Sequence, residues 1–204
     1  MGNESITSVK LPTGLKYLDS YAFENCTNLE TVTNLPTSNL ENMGDRVFNG
    51  TKWIKSLEGD GVYLLGGWAI AYLGENTPET LTMPSDTYGI CYGFLRAHGG
   101  SYAEWELKTL VLNEGLKRIN GCAFEYCSSL TEINIPSTVD YINGDAFGGC
   151  WGLTSFNVAE GNATFSSIDG VLFDDDKYEL RLYPTGRTDE SYTVPAGIQD
   201  IMGY

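Results

Sequence analysis

With 204 residues, 42% of them hydrophobic, the chain is long enough to bury a sizeable core and too apolar to be disordered as a whole. Lys and Arg number 12 against 27 Asp and Glu, a formal charge of −15 that repels phosphate backbones and anionic membrane surfaces and makes nucleic acid a poor partner. No apolar run reaches the roughly 18 residues that cross a bilayer, so no membrane insertion is expected, and the opening Met1-Gly2-Asn3-Glu4-Ser5 lacks the basic and apolar regions of an export signal.

The first unit sets Ile6, Val9 and Leu11 in the spacing of a short strand with alternate positions facing a core. Pro12 stops it, because a residue without an N–H cannot continue a hydrogen-bonded ladder. Leu15 and Leu18 follow, then a turn carrying Ala22-Phe23, then Cys26 and Leu29. A second unit runs through Val32, Leu35, Leu40, Met43 and Val47-Phe48; its apolar-Phe pair arrives 25 residues after the first, so loop length varies while the apolar frame persists. Asp60-Gly61-Val62, leading to Tyr72 and Met83-Pro84, reads as a hairpin unit inserted near 60–84.

From Phe94 to Leu107 the connection is seven residues longer than from Phe124 to Leu130. It holds the only histidine, His98, a Gly-Gly pair, and Tyr102 and Trp105, two aromatics that no core register demands. Long loops on rigid scaffolds often carry binding residues, which makes His98, Tyr102 and Trp105 the candidate ligand-binding set. The bland alternative is a surface insertion whose Tyr102 and Trp105 pack back on Trp68 and Tyr72.

The next two units repeat at a step of 23: Leu110 over Ile133, Leu112 over Ile135, Leu116 over Val139, Ile119 over Ile142, Ala123-Phe124 over Ala146-Phe147, Cys127 over Cys150 and Leu130 over Leu153. A unit this short cannot bury its own apolar face, so neighbours must stack, with the small alanine letting windings approach and the phenylalanine filling the space between them. The period fits a leucine-rich repeat rather than an ankyrin, tetratricopeptide or propeller unit. The expected fold is therefore an α/β, right-handed, horseshoe-like leucine-rich-repeat solenoid, strand-dominated, with short helical turns and inserted β-hairpins, forming one domain over 1–204.

Asp169-Gly170-Val171, leading to Tyr183-Pro184 and Val194-Pro195, repeats the hairpin unit near 169–195. Asp174-Asp175-Asp176 supplies its polar turn; a calcium loop is the alternative, but the alternating ligands, glycine and closing glutamate of an EF-hand are absent. The first unit opens at its strand, and the last stops at Ile198, Ile201 and Tyr204, where an Ala-Phe pair is due, so a fragment of a longer chain is expected, with apolar ends prone to end-to-end self-association.

Cys26, Cys91, Cys122, Cys127 and Cys150 are an odd number without CxxC spacing, and three of them share one repeat position, so buried reduced thiols are expected. No nucleophile elbow, phosphate loop or dinucleotide fingerprint occurs in context, and His98 would have to be the base of any triad. The expectation is no catalysis, no cofactor and no metal. Outward strand positions such as Lys108, Thr109, Thr131, Glu132, Thr154 and Ser155 form a small polar face without an aromatic stripe.

The frame I-x-I-P…V-x-x-I-x-x-x-A-F-x-x-C-x-x-L, with its D-G-V…Y-P…V-P unit, resembles the BspA-like leucine-rich-repeat family of bacterial surface proteins over nearly the whole chain. It departs from ordinary leucine-rich repeats in lacking the asparagine after the strand, so an asparagine ladder is not expected. The resemblance implies a non-catalytic secreted or cell-surface module that binds a protein or glycan partner, host-derived ones included; the alternative is a passive spacer within a larger surface protein.

Overall fold

The computed structural model describes residues 2–36, 40–74, 78–96, 105–176 and 178–202, and these form a strand-dominated β-solenoid of about eight turns. Winding one contributes β1 (Ser8–Lys10) and β2 (Tyr17–Leu18), winding two β3 (Thr31–Thr33) and β4 (Asn42–Met43), followed by the helix α1 (Lys52–Lys55). A hairpin of β5 (Val62–Leu65) and β6 (Trp68–Tyr72) leads to β7 (Thr80–Thr82), β8 (Gly89–Ile90) and a 3-10 turn at Phe94–Arg96. Then come β9 (Thr109–Val111), β10 (Arg118–Ile119), β11 (Glu132–Ile135), β12 (Tyr141–Ile142) and β13 (Ser155–Val158). A meander of β14 (Phe165–Ile168), β15 (Val171–Asp174) and β16 (Glu179–Leu182) is joined by β17 (Asp200–Ile201).

Strands at equivalent repeat positions lie side by side and parallel, as stacked windings require. Ser8 faces Thr31 and Glu132 faces Ser155, each a step of 23, while Thr80 faces Thr109 across the long connection, a step of 29. The second strands form their own ladder: Tyr17 faces Asn42, and β12, β10, β8, β6 and β5 make one five-stranded sheet. Prolines 12, 84 and 136 fall one or two residues after β1, β7 and β11, where the ladder ends.

A third ladder runs through the Ala-Phe turns. Phe23 N–H donates to Val47 O, Phe124 N–H to Ala146 O and Tyr126 N–H to Gly148 O, at 2.8–2.9 Å. Residues flanking the phenylalanine, Cys122 (φ 52°) and Tyr126 (φ 64°), take left-handed conformations that help aim alternate N–H groups at the next winding. Donors spent between windings cannot close i→i−4 bonds, so these turns stay non-helical. Helix among the described residues is confined to α1 and the 3-10 turn. α1 forms because Thr51, fully buried, caps Ile54 N–H while Trp53 and Ile54 face inward.

Between the ladders the apolar frame packs into two large buried clusters, one running from Leu11 to Cys91 and one from Ala69 to Leu172, with a small third around Val171, Phe173 and Leu180. Phe124, 0% exposed, stacks on Phe147 with centroids 5.6 Å apart and planes 10° off parallel, and Phe23 stacks likewise on Phe48 at 5.5 Å and 8°. All five thiols are free and buried, with Cys150 Sγ donating to Phe124 O. Asparagines do bond to a neighbouring winding, but irregularly: Asn34 Nδ2 donates to Leu11 O, Asn113 Nδ2 to Thr87 O, and Asn162 Nδ2 to both Pro136 O and Val139 O.

Candidate functional site

His98 and Tyr102 lie outside the described residues; Trp105 lies within them. Trp105 is half-buried against the main core, its ring edge-on to Tyr72 at 6.4 Å, with its backbone N–H donated to Tyr126 O. Its indole Nε1 is buried and has no acceptor among the described residues. Trp68, the other anchor considered for this loop, is fully buried; its indole donates to Leu40 O and its ring meets Tyr88. Trp105 therefore pins the C-terminal end of the long connection to the turn edge of the solenoid.

That edge carries a second tryptophan. In the repeat frame Trp105, Ser128 and Trp151 all stand two residues before the buried Leu107, Leu130 and Leu153. Successive windings sit about 4.8 Å apart, so the two tryptophan positions are separated by roughly 10 Å with a serine between. Trp151 is 57% exposed and leans on Tyr126, centroids 5.9 Å apart. Gly149 (φ 71°) makes this packing possible, since a Cβ there would come within 2.5 Å of the Tyr126 ring. Thr185 Oγ1 bonds Cys150 O, and Gly186 N–H bonds Leu153 O, fixing a further loop beside Trp151. Tyr126 and Trp151 escaped the sequence reading; the available signal was a large aromatic where the sister unit has Ser128.

The strand face is different in character. Its exposed residues include Thr31, Thr33, Thr80, Thr82 and Thr109, and Asn157 Nδ2 donates to Asn134 Oδ1 at 3.1 Å. This is a flat surface of short polar side chains, suited to broad contact rather than to enclosing a small molecule.

Nucleophile chemistry is poorly served. Burial pushes the Cys91 thiol upward and the Cys122 thiol to about 11; the hydrogen bond with Cys150, and then burial, raise Cys127. All three are protonated at neutral pH and so weak as nucleophiles. Among the described residues no three His, Cys, Asp or Glu side chains converge on a metal position.

Burial and then the nearby Asp145 carboxylate raise Asp45 above the usual carboxylate range. A raised folded value means this group's stabilising contribution is present below the unfolded value, about pH 4, and is lost as pH rises through the folded one. Asp45→Asn is accordingly expected to shift the urea midpoint upward at pH 7 and to give no gain near pH 3. A lower midpoint at pH 7 would contradict this electrostatic assignment.

The model of the BspA type leucine-rich-repeat region matches residues 1–64 and 99–178, in six copies. The unmatched stretch between them contains β6, β7, β8 and the 3-10 turn, while most of β5 falls within the first matched segment. Among solved structures, the pneumococcal vaccine antigen PcpA is 23% identical, with a TM-score of 0.55, over 97% of this chain and 42% of that one. A leucine rich cell surface protein from Faecalibacterium prausnitzii is 23% identical, with a TM-score of 0.49, over 95% of this chain and 50% of that one. A leucine-rich repeat protein from Eubacterium ventriosum is 16% identical, with a TM-score of 0.43, over 97% of this chain and 44% of that one. The chain thus spans half or less of the length of each. No curated protein matches it.

Proposed function

The chain belongs to the BspA type leucine-rich-repeat family, and from that premise we propose that it is a non-catalytic recognition module of a bacterial secreted or cell-surface protein, binding a protein or glycan partner through its repeat surface. The windings are read as right-handed and curved into a horseshoe, with the polar strand face as one broad contact surface. The observation that carries the proposal is Trp151, more than half exposed and leaning on Tyr126, next to the winding where Trp105 anchors the long connection. Exposed aromatics held by a rigid scaffold are the usual energetic anchors of an interface, and an indole face also stacks on sugar rings. The surface setting is supported by the name of PcpA, a vaccine antigen.

The test is binding of the purified chain to immobilised host matrix proteins and to a glycan array. Trp151→Ala, which removes an exposed side chain, is expected to weaken retention at least tenfold, as is the triple change of His98, Tyr102 and Trp105 to alanine. Retention unaffected by either would move the contact to the strand face, and no retention on any surface would leave a passive spacer.

A further inference from the structure

Cysteine returns at one position of the repeat frame in successive windings only once. Cys127 and Cys150 each stand three residues before a buried leucine, Leu130 and Leu153. Cys26 holds that position too, but the next winding answers it with Thr51, as Phe48 answers Phe23. The turn ladder fixes the approach of the pair: Phe124 N–H donates to Ala146 O at 2.9 Å and Tyr126 N–H to Gly148 O at 2.8 Å, just ahead of the two cysteines. Their sulfurs meet in the core, where the Cys127 thiol bonds to Cys150 and Cys150 Sγ donates to Phe124 O at 3.2 Å.

Two of the remaining cysteines have other neighbours: Cys91 Sγ donates to Met43 Sδ at 3.2 Å and Cys122 Sγ to Asp145 Oδ2 at 3.5 Å. Windings about 4.8 Å apart bring opposed Cα atoms within the span of roughly 4.4–6.8 Å that a disulfide bridges. Phe124 O also accepts Cys127 N–H at 3.4 Å, so it keeps a donor when the Cys150 proton is lost.

We propose that Cys127 and Cys150 are a dithiol that closes into a disulfide between adjacent windings, with a low-molecular-weight disulfide as the oxidant. One cysteine thiolate attacks the oxidant, forms a mixed disulfide and displaces a thiolate. The second cysteine thiolate attacks the protein sulfur of that mixed disulfide, closes the bridge and displaces the other thiolate. The two protons given up by the cysteines go to the leaving thiolates, so the oxidant is reduced to two thiols as the dithiol is oxidised. Buried and hydrogen-bonded, the pair stays protonated, so exchange runs from an opened state, during folding or local unfolding. The bridge joins the windings at residues adjacent to Tyr126 and Trp151, and so ties together the two turns that carry the candidate contact surface. An exported setting, where disulfides persist, rests on the function proposed above; the closure itself is chemistry of this pair and is tested without it.

The intact chain is unfolded in urea, refolded with oxidised and reduced glutathione, alkylated under denaturing conditions and mapped by peptide mass spectrometry. Three alkylated cysteines, the loss of two hydrogens and one cross-linked peptide joining Cys127 to Cys150 are expected. Incubating the folded chain with the same mixture is expected to close the bridge at least tenfold more slowly than in urea just below the unfolding transition. The bridged chain is expected to unfold at a higher urea midpoint than the reduced one, because the bridge restricts the unfolded chain. Dithiothreitol should abolish that shift, and Cys150→Ala should lack it. The triple change of Cys26, Cys91 and Cys122 to alanine should keep the bridge. Five alkylated thiols, glutathione caps in place of the cross-link, or a cross-link to another cysteine overturns the proposal. The map is read on the wild-type chain, so it holds even where a variant fails to fold. Equal closure rates with and without urea overturn the opened-state route, and a bridged chain no more stable than the reduced one overturns the fit of the bridge to the folded windings. None of these outcomes depends on a ligand.

Discussion

Phe124→Ala is expected to cost about 3–5 kcal/mol, the range for removing a fully buried aromatic side chain whose surroundings cannot collapse into the space. The ring is 0% exposed, lies flat on Phe147 at 5.6 Å and meets Phe94 edge-on at 6.0 Å, so its loss opens a gap shared by three windings. Folded domains have only about 5–15 kcal/mol to lose, so the urea midpoint should fall by a large fraction and the yield of soluble protein should drop with it. Phe23→Ala provides the internal comparison. Phe23 holds the same frame position on the first winding but is half-buried, so its loss should cost clearly less. Equal effects at the two sites would mean that burial in the column does not set the stability.

Asn162→Asp is expected to be nearly as costly at neutral pH and far milder in acid. Asn162 is 7% exposed and fully satisfied: Nδ2 donates to Pro136 O at 2.9 Å and Val139 O at 3.0 Å, and Oδ1 accepts Thr164 N–H and Phe165 N–H at 2.9 and 2.8 Å. An ionised aspartate keeps the two acceptor bonds and loses both donors, leaving a carboxylate against two buried carbonyls. Each such unmet group costs about 1–3 kcal/mol. The environment disfavours the charged form, so the introduced carboxyl has a folded pKa above its unfolded one. Its penalty is therefore smallest below the unfolded value and grows as pH rises through the folded one. Urea titrations of Asn162→Asp and Asn162→Leu against wild type, at low and neutral pH, check this. A difference from wild type that depends on pH for aspartate but not for leucine is expected, and the same pH-independent loss for both would show that the donors do not matter.

The parts of this structure that are legible in the chain are those that recur. Phe124 and Phe147, Leu130 and Leu153, Cys127 and Cys150 each announce their environment because the same residue type returns at the same offset, and a position that recurs must be met by its own copy in the next winding. Asn162 carries no such signal: it bonds to the preceding winding as Asn34 and Asn113 do, but the three stand at different distances from their strands. β14 was missed for a related reason. Asp169-Gly170 reads as the start of a hairpin unit, and it is instead the turn between β14 and β15, with φ of 50° and 78°. Trp151 and Tyr126 were hidden because an outward-facing residue is not constrained by stacking, so periodicity is silent about it. Of the loop residues singled out, only Trp105 falls among those described, and its contact is with Tyr72 rather than Trp68.

Residues from different repeats meet as neighbours in one column, and a double-mutant cycle at Phe124 and Phe147 measures that meeting directly. Phe124→Leu, Phe147→Leu and the double change keep the interior apolar and the chain folded, so all three stabilities can be read from urea unfolding. Rings stacked at 5.6 Å should show a coupling of about 0.5–1.5 kcal/mol. Losses that add to within about 0.3 kcal/mol would place the two phenylalanines out of contact and contradict the stacked solenoid.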